Sequence, residues 1–497
     1  MIKCFLTIYK LHPSGEKKHH EKNKNKARRK KQPARRKIKP TVKLDFTDDL
    51  LTSYAGGWYL AQFANLIGLP DALKKIKVKK NKKGASDTNM LLALIYSLAN
   101  GDGAISDIDS LIADPTRTNL LGIDQKVHSK RLGEYIRRFD DEQLYRFQTI
   151  ARHVAKQVIV RSDWKQFLEN GYIPVFVDGS IIEVTGKNFE EAKIGYSGDM
   201  QYWLHSTFIG GVWADQRLLP GASGVTKGWR SQIETADKII KAKLNVAKPV
   251  DSEGNIFIPK KYVRADNAYY NKNFINYMNA NDWYYTVSLT NNLNKKPLLR
   301  EVDELDGWDW QPLDKNNEEQ WALVSHQPAK WDERQLYIVI RKIVENKQRR
   351  LFPIYSFILT NITDLPVPEV VRMHRRKQGQ ENEQKGPLID LDLHHPSSSN
   401  FVANQVIYTA AQIAQNLIRG IHQYLAFSEK YWRSTLRTII RKVIRIPGKL
   451  VLHAGEKILK LSKWMPDLND FLKATDKLEE LMQNNKSPPI GFFALEY

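Results

Sequence analysis

The chain reads as an α/β protein, a sheet with helices packed on it, bracketed by helical regions. Three observations predict this. Residues 173–177 (IPVFV) form a short continuous apolar run of the kind a strand buried on both faces shows, and residues 262–265 (YVRA) and 283–289 (WYYTVSL) read as further strands. Residues 229–244 (WRSQIETADKIIKAKL) lie among them with the apolar spacing of an amphipathic helix. Helical patterns come before and after, at residues 88–99 (TNMLLALIYSLA) and 401–427.

Composition sets the outer limits. At 497 residues the chain exceeds one core, and about 150 residues per domain suggests roughly three domains. Its one cysteine, Cys4, excludes a disulfide framework and any cysteine-based zinc site, and fits a reducing compartment. Net charge is +22, of which residues 17–43 supply +13, with fourteen Lys/Arg against Glu21 alone. Such a block repels itself and should be disordered, and its partner is expected to be a polyanion, nucleic acid first. The apolar patch within residues 1–9 is too short for a signal-peptide core, and no run approaches the ~20 apolar residues of a membrane span. Residues 402–418 come nearest, but Asn404, Gln405, Gln412, Gln415 and Asn416 interrupt them, so a soluble protein with no membrane partner is expected.

The elements follow in order. Residues 1–43 are the basic tail. Residues 44–165 should form a helical N-terminal DNA-binding region, with Ser86 or Asp87 capping the helix at 88–99. Within it, residues 128–139 (HSKRLGEYIRRF) open with a serine cap and set Lys130 and Arg131 on a short helix that could read DNA, or simply present a wet basic face. Residues 166–290 hold the first part of the core: the strand ending at Asp178, two strands at 203–213 and 217–219 with a turn at Ala214-Asp215, the helix at 229–244, the strand ending at Asp266, then a helix and a strand. Residues 291–365 are mostly β and read as an insertion, because they separate a strand from the helix that should follow it. Residues 366–461 open at Pro366 and Pro368, where a helix start tolerates proline, and continue as helices at 401–427, 435–446 and 449–461. Residues 462–497 form a C-terminal tail.

One stretch organises the rest. Residues 371–385 read VRMHRRKQGQENEQK, and helical spacing sets His374, Lys377 and Glu381 on one face, with Lys385 a turn further on. The order strand–Asp178, two antiparallel strands, helix, strand–Asp266, helix, strand, insertion, helix–Glu381 is that of a ribonuclease-H-like sheet. The expected fold is therefore α/β: a ribonuclease-H-like catalytic core with a β-rich insertion between the second Asp and the Glu, plus α-helical N-terminal and C-terminal regions. Two carboxylates held ~4 Å apart repel by roughly 4 kcal/mol at an effective dielectric near 20. Such a cluster persists when divalent metal neutralises it, and all-oxygen ligation selects Mg²⁺ or Mn²⁺.

On these residues the sequence resembles the DDE transposases of bacterial insertion sequences, in the group with a Tyr-Arg-Glu-Lys signature. The contexts VFVDGS at Asp178 and YVRADNAYY at Asp266 match, as do RLLPGASG (217–224) and PSSSNFVANQ (396–405). In that group Tyr, then Arg three residues on, then the catalytic Glu four further lie on one helix. Here those positions hold His374, Lys377 and Glu381, and Lys385 is the nearest match to the family's later Lys, though strict spacing falls on Leu388. The resemblance spans roughly residues 44–461 and implies cut-and-paste DNA transposition. It implies that Asp178, Asp266 and Glu381 hold two Mg²⁺ or Mn²⁺ ions, that Arg375, Lys377 and Lys385 hold phosphates, and that His374 meets the terminal nucleotide. It also implies double-stranded DNA ends and target as partners, a homodimer when the ends are synapsed, and a cytoplasmic, nucleoid-associated bacterial protein.

The departures at His374 and Lys377 keep a second reading open, a catalytically inactive or domesticated sequence-specific DNA-binding protein. A metal-dependent nuclease without strand transfer is a third. Among local features, Asp390, Asp392, His394 and His395 (DLDLHH) are a second metal cluster or a wet face, and Glu183, Glu190, Glu191 and Asp199 fit surface carboxylates. Trp308, Trp310, Trp321 and Trp331 suit core packing, or base stacking within the insertion.

Overall fold

The computed structural model describes residues 44–79, 84–186, 188–195, 198–224, 226–289, 296–316, 318–342, 354–424, 431 and 434–484; the side chains of 296, 377–383, 423, 424 and 484 lie outside the description. The basic tail at 17–43 is likewise outside it. By internal contacts the chain divides into Met1–Asp48 and Asp49–Tyr497. Of the first unit, residues 44–48 are exposed and irregular.

The second unit opens with a short strand, β1 (Leu50–Thr52), and seven helices: α1 (Gly57–Leu66), α2 (Leu69–Leu73), α3 (Asp87–Ala99), α4 (Asp107–Ala113), α5 (Pro115–Leu121), α6 (Ser129–Ile136) and α7 (Asp141–Arg161). Their starts follow from side chains that take up orphan N–H groups. Ser86 Oγ accepts from Asn89 N at 3.1 Å, and Asp140 Oδ1 from Gln143 N at 2.8 Å. Asp114 Oδ1 accepts from Arg117 N at 2.9 Å, with Pro115 already in the first turn of α5. At α6 the expected serine cap is corrected. His128 is the cap residue, and Ser129 sits inside the helix with its N–H and hydroxyl both given to Asp109.

Ten strands join in one sheet: β2 (Tyr172–Glu183), β3 (Lys193–Ile194), β4 (Met200–Ile209), β5 (Val212–Leu219), β6 (Lys260–Ala265), β7 (Trp283–Leu289), β8 (Gln311–Pro312), β9 (Glu319–His326), β10 (Gln335–Lys342) and β11 (Ile354–Thr360). Helices α8 (Trp229–Val246), α9 (Lys272–Ala280) and α10 (Lys296–Asp303) lie between them in sequence. The central run β5-β4-β2-β6-β7 has β4 antiparallel to both β2 and β5, and β6 and β7 parallel to β2. That is the ribonuclease-H-like order. The strands of 291–365 continue the same sheet, because β11 pairs antiparallel with β7 and β10, β9 and β8 follow outward.

Two sequence expectations in this region change. β2 does not stop at Asp178 but runs on to Glu183 against β4. The turn between β4 and β5 is at Gly210-Gly211, with Gly210 at φ +56°, not at Ala214-Asp215. Both of those residues are buried within β5, and Asp215 accepts from Arg152 Nε of α7 at 2.8 Å. A turn-like dipeptide is here a strand with a buried ion pair.

After β11 come α11 (Val367–Arg375), α12 (Lys377–Asp390), α13 (Phe401–Tyr424) and α14 (Leu436–Ile439), which runs on as a π-helical turn over Ile440–Ile444. Residues 449–461, expected to be helical, instead form a hairpin of β12 (Gly448–His453) and β13 (Glu456–Leu461). Ala454 and Gly455 both have positive φ, the backbone a tight hairpin turn needs, and β12 also pairs with β1 through Leu450 and Leu50. Helix α15 (Leu468–Asn484) ends the described chain.

The polar residues that interrupt the apolar run in α13 have a structural task. Among the described residues β5 pairs only with β4, so its other side is a sheet edge. Gln412 Nε2 donates to the Trp213 and Ala214 carbonyls at 3.0 and 3.1 Å, and Asn416 pairs with both the N–H and carbonyl of Trp213 at 2.9 Å. The helix thus satisfies buried strand backbone that no neighbouring strand reaches. Among the described residues no helix is long and apolar enough to cross a membrane.

Candidate active site

Asp178 and Asp266 are brought together by strand register. The parallel pairing of β2 and β6 sets Phe176 opposite Arg264. The paired ladder ends there, and two residues on, on the same face, come Asp178 in β2 and Asp266 just beyond β6; the register carried on would set their backbones about one strand spacing of 4.8 Å apart. The β6–β7 pairing sets Arg264 opposite Thr286 and ends at Ala265 and Val287, the residues just before Asp266 and Ser288. Both aspartates are half-buried. Asp178 Oδ1 accepts from Gly179 N at 2.8 Å, and Asp266 Oδ1 accepts from Ala268 N at 2.9 Å, which starts a single 3₁₀ turn. Each carboxylate is therefore oriented by a backbone N–H.

The even-numbered positions of these strands face α11. Tyr172, Tyr262, Ile338, Ile340 and Ile358 pack with Val370, Val371 and Met373 in one apolar layer that spans the core strands and the added ones. The chain breaks at Arg376 between α11 and α12, and α12 carries Glu381. The side chains of Lys377 and Glu381 lie outside the described residues, so the backbone places Glu381 on the second turn of α12 and nothing more. Lys385 is exposed on the same helix.

His374 is corrected. Rather than standing at a surface where a terminal nucleotide could reach it, it is 8% exposed, with Nδ1 2.8 Å from Thr286 Oγ1 and Nε2 2.8 Å from Ser288 Oγ. Its partners come from β7, which helix-face reasoning could not supply. Arg375 is exposed and donates to Glu319 of β9 at 2.7 Å. Lys130 and Arg131 project to solvent from α6, far from this row in sequence, and Arg131 pairs with Glu134 at 3.0 Å.

Two residues without a role in the sequence reading adjoin the aspartates. The Tyr269 hydroxyl contacts His205 Nε2, with the rings stacked at 11°. Burial raises the Tyr269 pKa well above its ordinary value, and the charges of Asp178 and Asp266 raise it further, so the phenol stays protonated beside the acidic pair. Burial, then Arg217, lowers His205 to about 4, which keeps the imidazole neutral. His205 is a partner of Gly179 in the β2–β4 ladder and is fully buried there.

Other candidate clusters disperse. Asp390 accepts from Arg437 N at 3.0 Å, and His394 lies 3.3 Å from Asp392. Glu190 accepts from Asn400 Nδ2 and Phe401 N at 2.8 and 3.0 Å, capping the start of α13. Trp310 is buried under Arg341, Trp331 lies against Tyr270, and Trp308 is 91% exposed.

Among the described residues no three His, Cys, Asp or Glu side chains gather as a metal-binding group. Asp178 and Asp266, both half-buried, are nonetheless hard oxygen donors. That chemistry fits Mg²⁺ or Mn²⁺ and disfavours softer metals.

The family described as transposase DDE domain group 1 matches residues 34–483. No curated protein matches the sequence. Among solved structures, the cryo-EM structure of the piggyBac transposase synaptic complex with hairpin DNA is similar at 10% identity and a TM-score of 0.41, over 78% of this chain and 80% of that one.

Proposed function

The chain belongs to the transposase DDE domain family, group 1, and from that premise we propose that it cuts the ends of an insertion sequence and joins them to target DNA. The observation that supports the proposal is the parallel β2–β6 register, which pairs Phe176 with Arg264, each two residues before one of the aspartates. With Glu381 these side chains would hold two Mg²⁺ or Mn²⁺ ions. When bound, such ions activate an attacking hydroxyl and stabilise the leaving oxygen of an in-line phosphoryl transfer. The chain's own residues do the positioning. Gly179 N and Ala268 N fix the orientation of the two carboxylates, and buried neutral Tyr269 keeps a further charge out of the site.

Arg375, Lys377 and Lys385, which flank Glu381 in sequence, are assigned to phosphates of the reacting end. Lys130 and Arg131 on α6 are assigned to double-stranded DNA outside it. Burial and two hydrogen bonds take His374 out of that set. Synapsis of two ends calls for a homodimer on DNA, and the reading puts the protein at the nucleoid in the bacterial cytoplasm.

The test uses the inverted repeats flanking the gene as substrate. Asp178→Ala, Asp266→Ala and Glu381→Ala should each abolish Mg²⁺-dependent nicking while end binding persists in a gel-shift assay. Nicking that survives all three single changes refutes the assignment. Binding with no nicking by the unaltered protein in Mg²⁺ or Mn²⁺ favours the non-catalytic DNA-binding reading instead.

A further inference from the structure

The joint between α11 and α12 is held to the sheet by polar contacts where the surrounding layer is apolar. Arg264, 1% exposed, donates from Nη1 to the Met373 carbonyl at 2.7 Å and from Nη2 to Glu169, itself buried. The other Glu169 carboxylate oxygen accepts from Arg376 Nη1, at the break itself. One residue after Met373, His374 bonds both Thr286 and Ser288, and Thr286 Oγ1 lies 2.6 Å from the Tyr262 hydroxyl. The last turn of α11 is thus tied to three places: the approach to β2 at Glu169, β6 at Arg264 and β7 at Thr286 and Ser288.

The ties coincide with the acidic row. Arg264 is two residues before Asp266, and Ser288 directly follows Val287, the partner of Ala265 in the β6–β7 ladder. A buried ion pair of this kind costs several kcal/mol of desolvation per ion, and apolar side chains would close the layer at least as stably. Neighbouring positions do so with Ile358, Val370 and Val371. What a planar guanidinium and a doubly bonded imidazole add is a fixed direction. We propose that Arg264, Glu169, Arg376 and His374 form a positioning clasp, which sets where α12 begins and so where Glu381 stands relative to Asp178 and Asp266. The proposal rests on the reading of Glu381 as the third carboxylate.

The experiment is a Mn²⁺ titration of the full-length protein without DNA, followed by the electron paramagnetic resonance of free Mn²⁺. Glu381→Gln should weaken Mn²⁺ binding. His374→Ala, Ser288→Ala and Arg376→Ala should each weaken it about tenfold, the usual scale for groups that orient metal ligands. In the Glu381→Gln background the same changes should have no further effect, because their action passes through that carboxylate. Near-UV circular dichroism reports folding. Should His374→Ala fail to fold, the milder Ser288→Ala and Arg376→Ala, whose side chain is exposed, decide, and Arg376→Lys should recover part of the affinity.

The outcomes separate the two ideas. If Glu381→Gln leaves Mn²⁺ affinity unchanged, the third-carboxylate reading falls and takes the clasp with it. If Glu381→Gln weakens binding but the clasp variants stay within twofold of the parent, the clasp is refuted and the reading stands. Equal weakening by a clasp variant with and without Glu381 also refutes it, since that marks general loosening.

Discussion

Neutralising one of the paired aspartates should stabilise the protein without metal while destroying its response to metal. Asp178 and Asp266 each lie two residues past the last β2–β6 pair, Phe176 and Arg264, and the register carried on sets them about one strand spacing of 4.8 Å apart. At an effective dielectric of 20, two charges at that distance repel by about 3.5 kcal/mol. Both side chains are half-buried, so solvent and salt cut this to about 1 kcal/mol at physiological ionic strength. Asn is the substitution to use, because its side-chain oxygen can still accept from Gly179 N or Ala268 N and the local backbone keeps its partner. In EDTA, Asp178→Asn and Asp266→Asn should each melt about 1–2 °C above the parent, the shift expected for a unit of this size. Saturating Mn²⁺ should reverse the order. At a hundred times its dissociation constant a ligand stabilises by about 2.7 kcal/mol, and the parent alone should show that gain. Differential scanning calorimetry of the three proteins with EDTA and with about 5–10 mM Mn²⁺, roughly saturating, measures all six melting temperatures. Asn variants that melt below the parent in EDTA, or that gain as much from Mn²⁺ as the parent does, would refute the argument that these carboxylates share a cation.

Three further outcomes follow from other parts of the molecule. His205 and His422 are fully buried, and burial ahead of a neighbouring arginine lowers them to about 4 and about 3. Folded values below the unfolded one near 6.5 mean that the stability they confer is complete above pH 6.5 and declines as pH falls toward those values. Each should therefore cost about 2 kcal/mol between pH 7.5 and 5.0, read from urea midpoints, and a flat profile would contradict their neutral burial. Deleting residues 17–43, which carry fourteen cations, should lower the salt slope of DNA binding by about 5 or more, at ~0.9 per phosphate neutralised. Fluorescence anisotropy from 50 to 300 mM KCl (roughly the range in which such slopes are linear) measures it, and an unchanged slope would take the tail off the DNA. Lys130→Ala with Arg131→Ala, both exposed on α6, should weaken binding of DNA ends about tenfold and leave the melting temperature unmoved, whereas unaltered binding would leave α6 a plain wet face.

What was legible in the sequence was whatever a single element decides for itself. The apolar run before Asp178, the amphipathic spacing of α8 and the order of the acids along the chain each announce themselves locally. Partners from elsewhere decided the rest. Ala214-Asp215 carries turn composition, yet Arg152 of α7 pairs Asp215 inside a strand. Residues 449–461 satisfy both a helical and an alternating pattern, and the pairing of Leu450 with Leu50, at the other end of the chain, selects the hairpin. His374 lies on the Lys377 and Glu381 face of an ideal helix, but the break at Arg376 and the hydroxyls of β7 turn it inward. Sequence order suggested that Asp178 and Asp266 meet, whereas only the structure gives the register of the strands that lead to them, Phe176 against Arg264.

The buried polar groups are concentrated where geometry has to be specified. Along β5, α13 closes an edge whose backbone would otherwise lack partners, so Gln412 and Asn416 direct how the helix sits rather than how firmly. At the α11–α12 joint, Arg264 and His374 do the same for the helix that carries Glu381. Between these joints the layers are filled by Tyr, Ile and Val side chains whose contacts are tight but not directional. A cation site assembled from residues on two strands and a distant helix tolerates misplacement of about an ångström poorly. Non-directional packing alone would leave the helix free to slide by that much. The cost of burying charged and polar groups beside the acidic row is therefore intelligible as the cost of holding three distant parts of the chain in one arrangement.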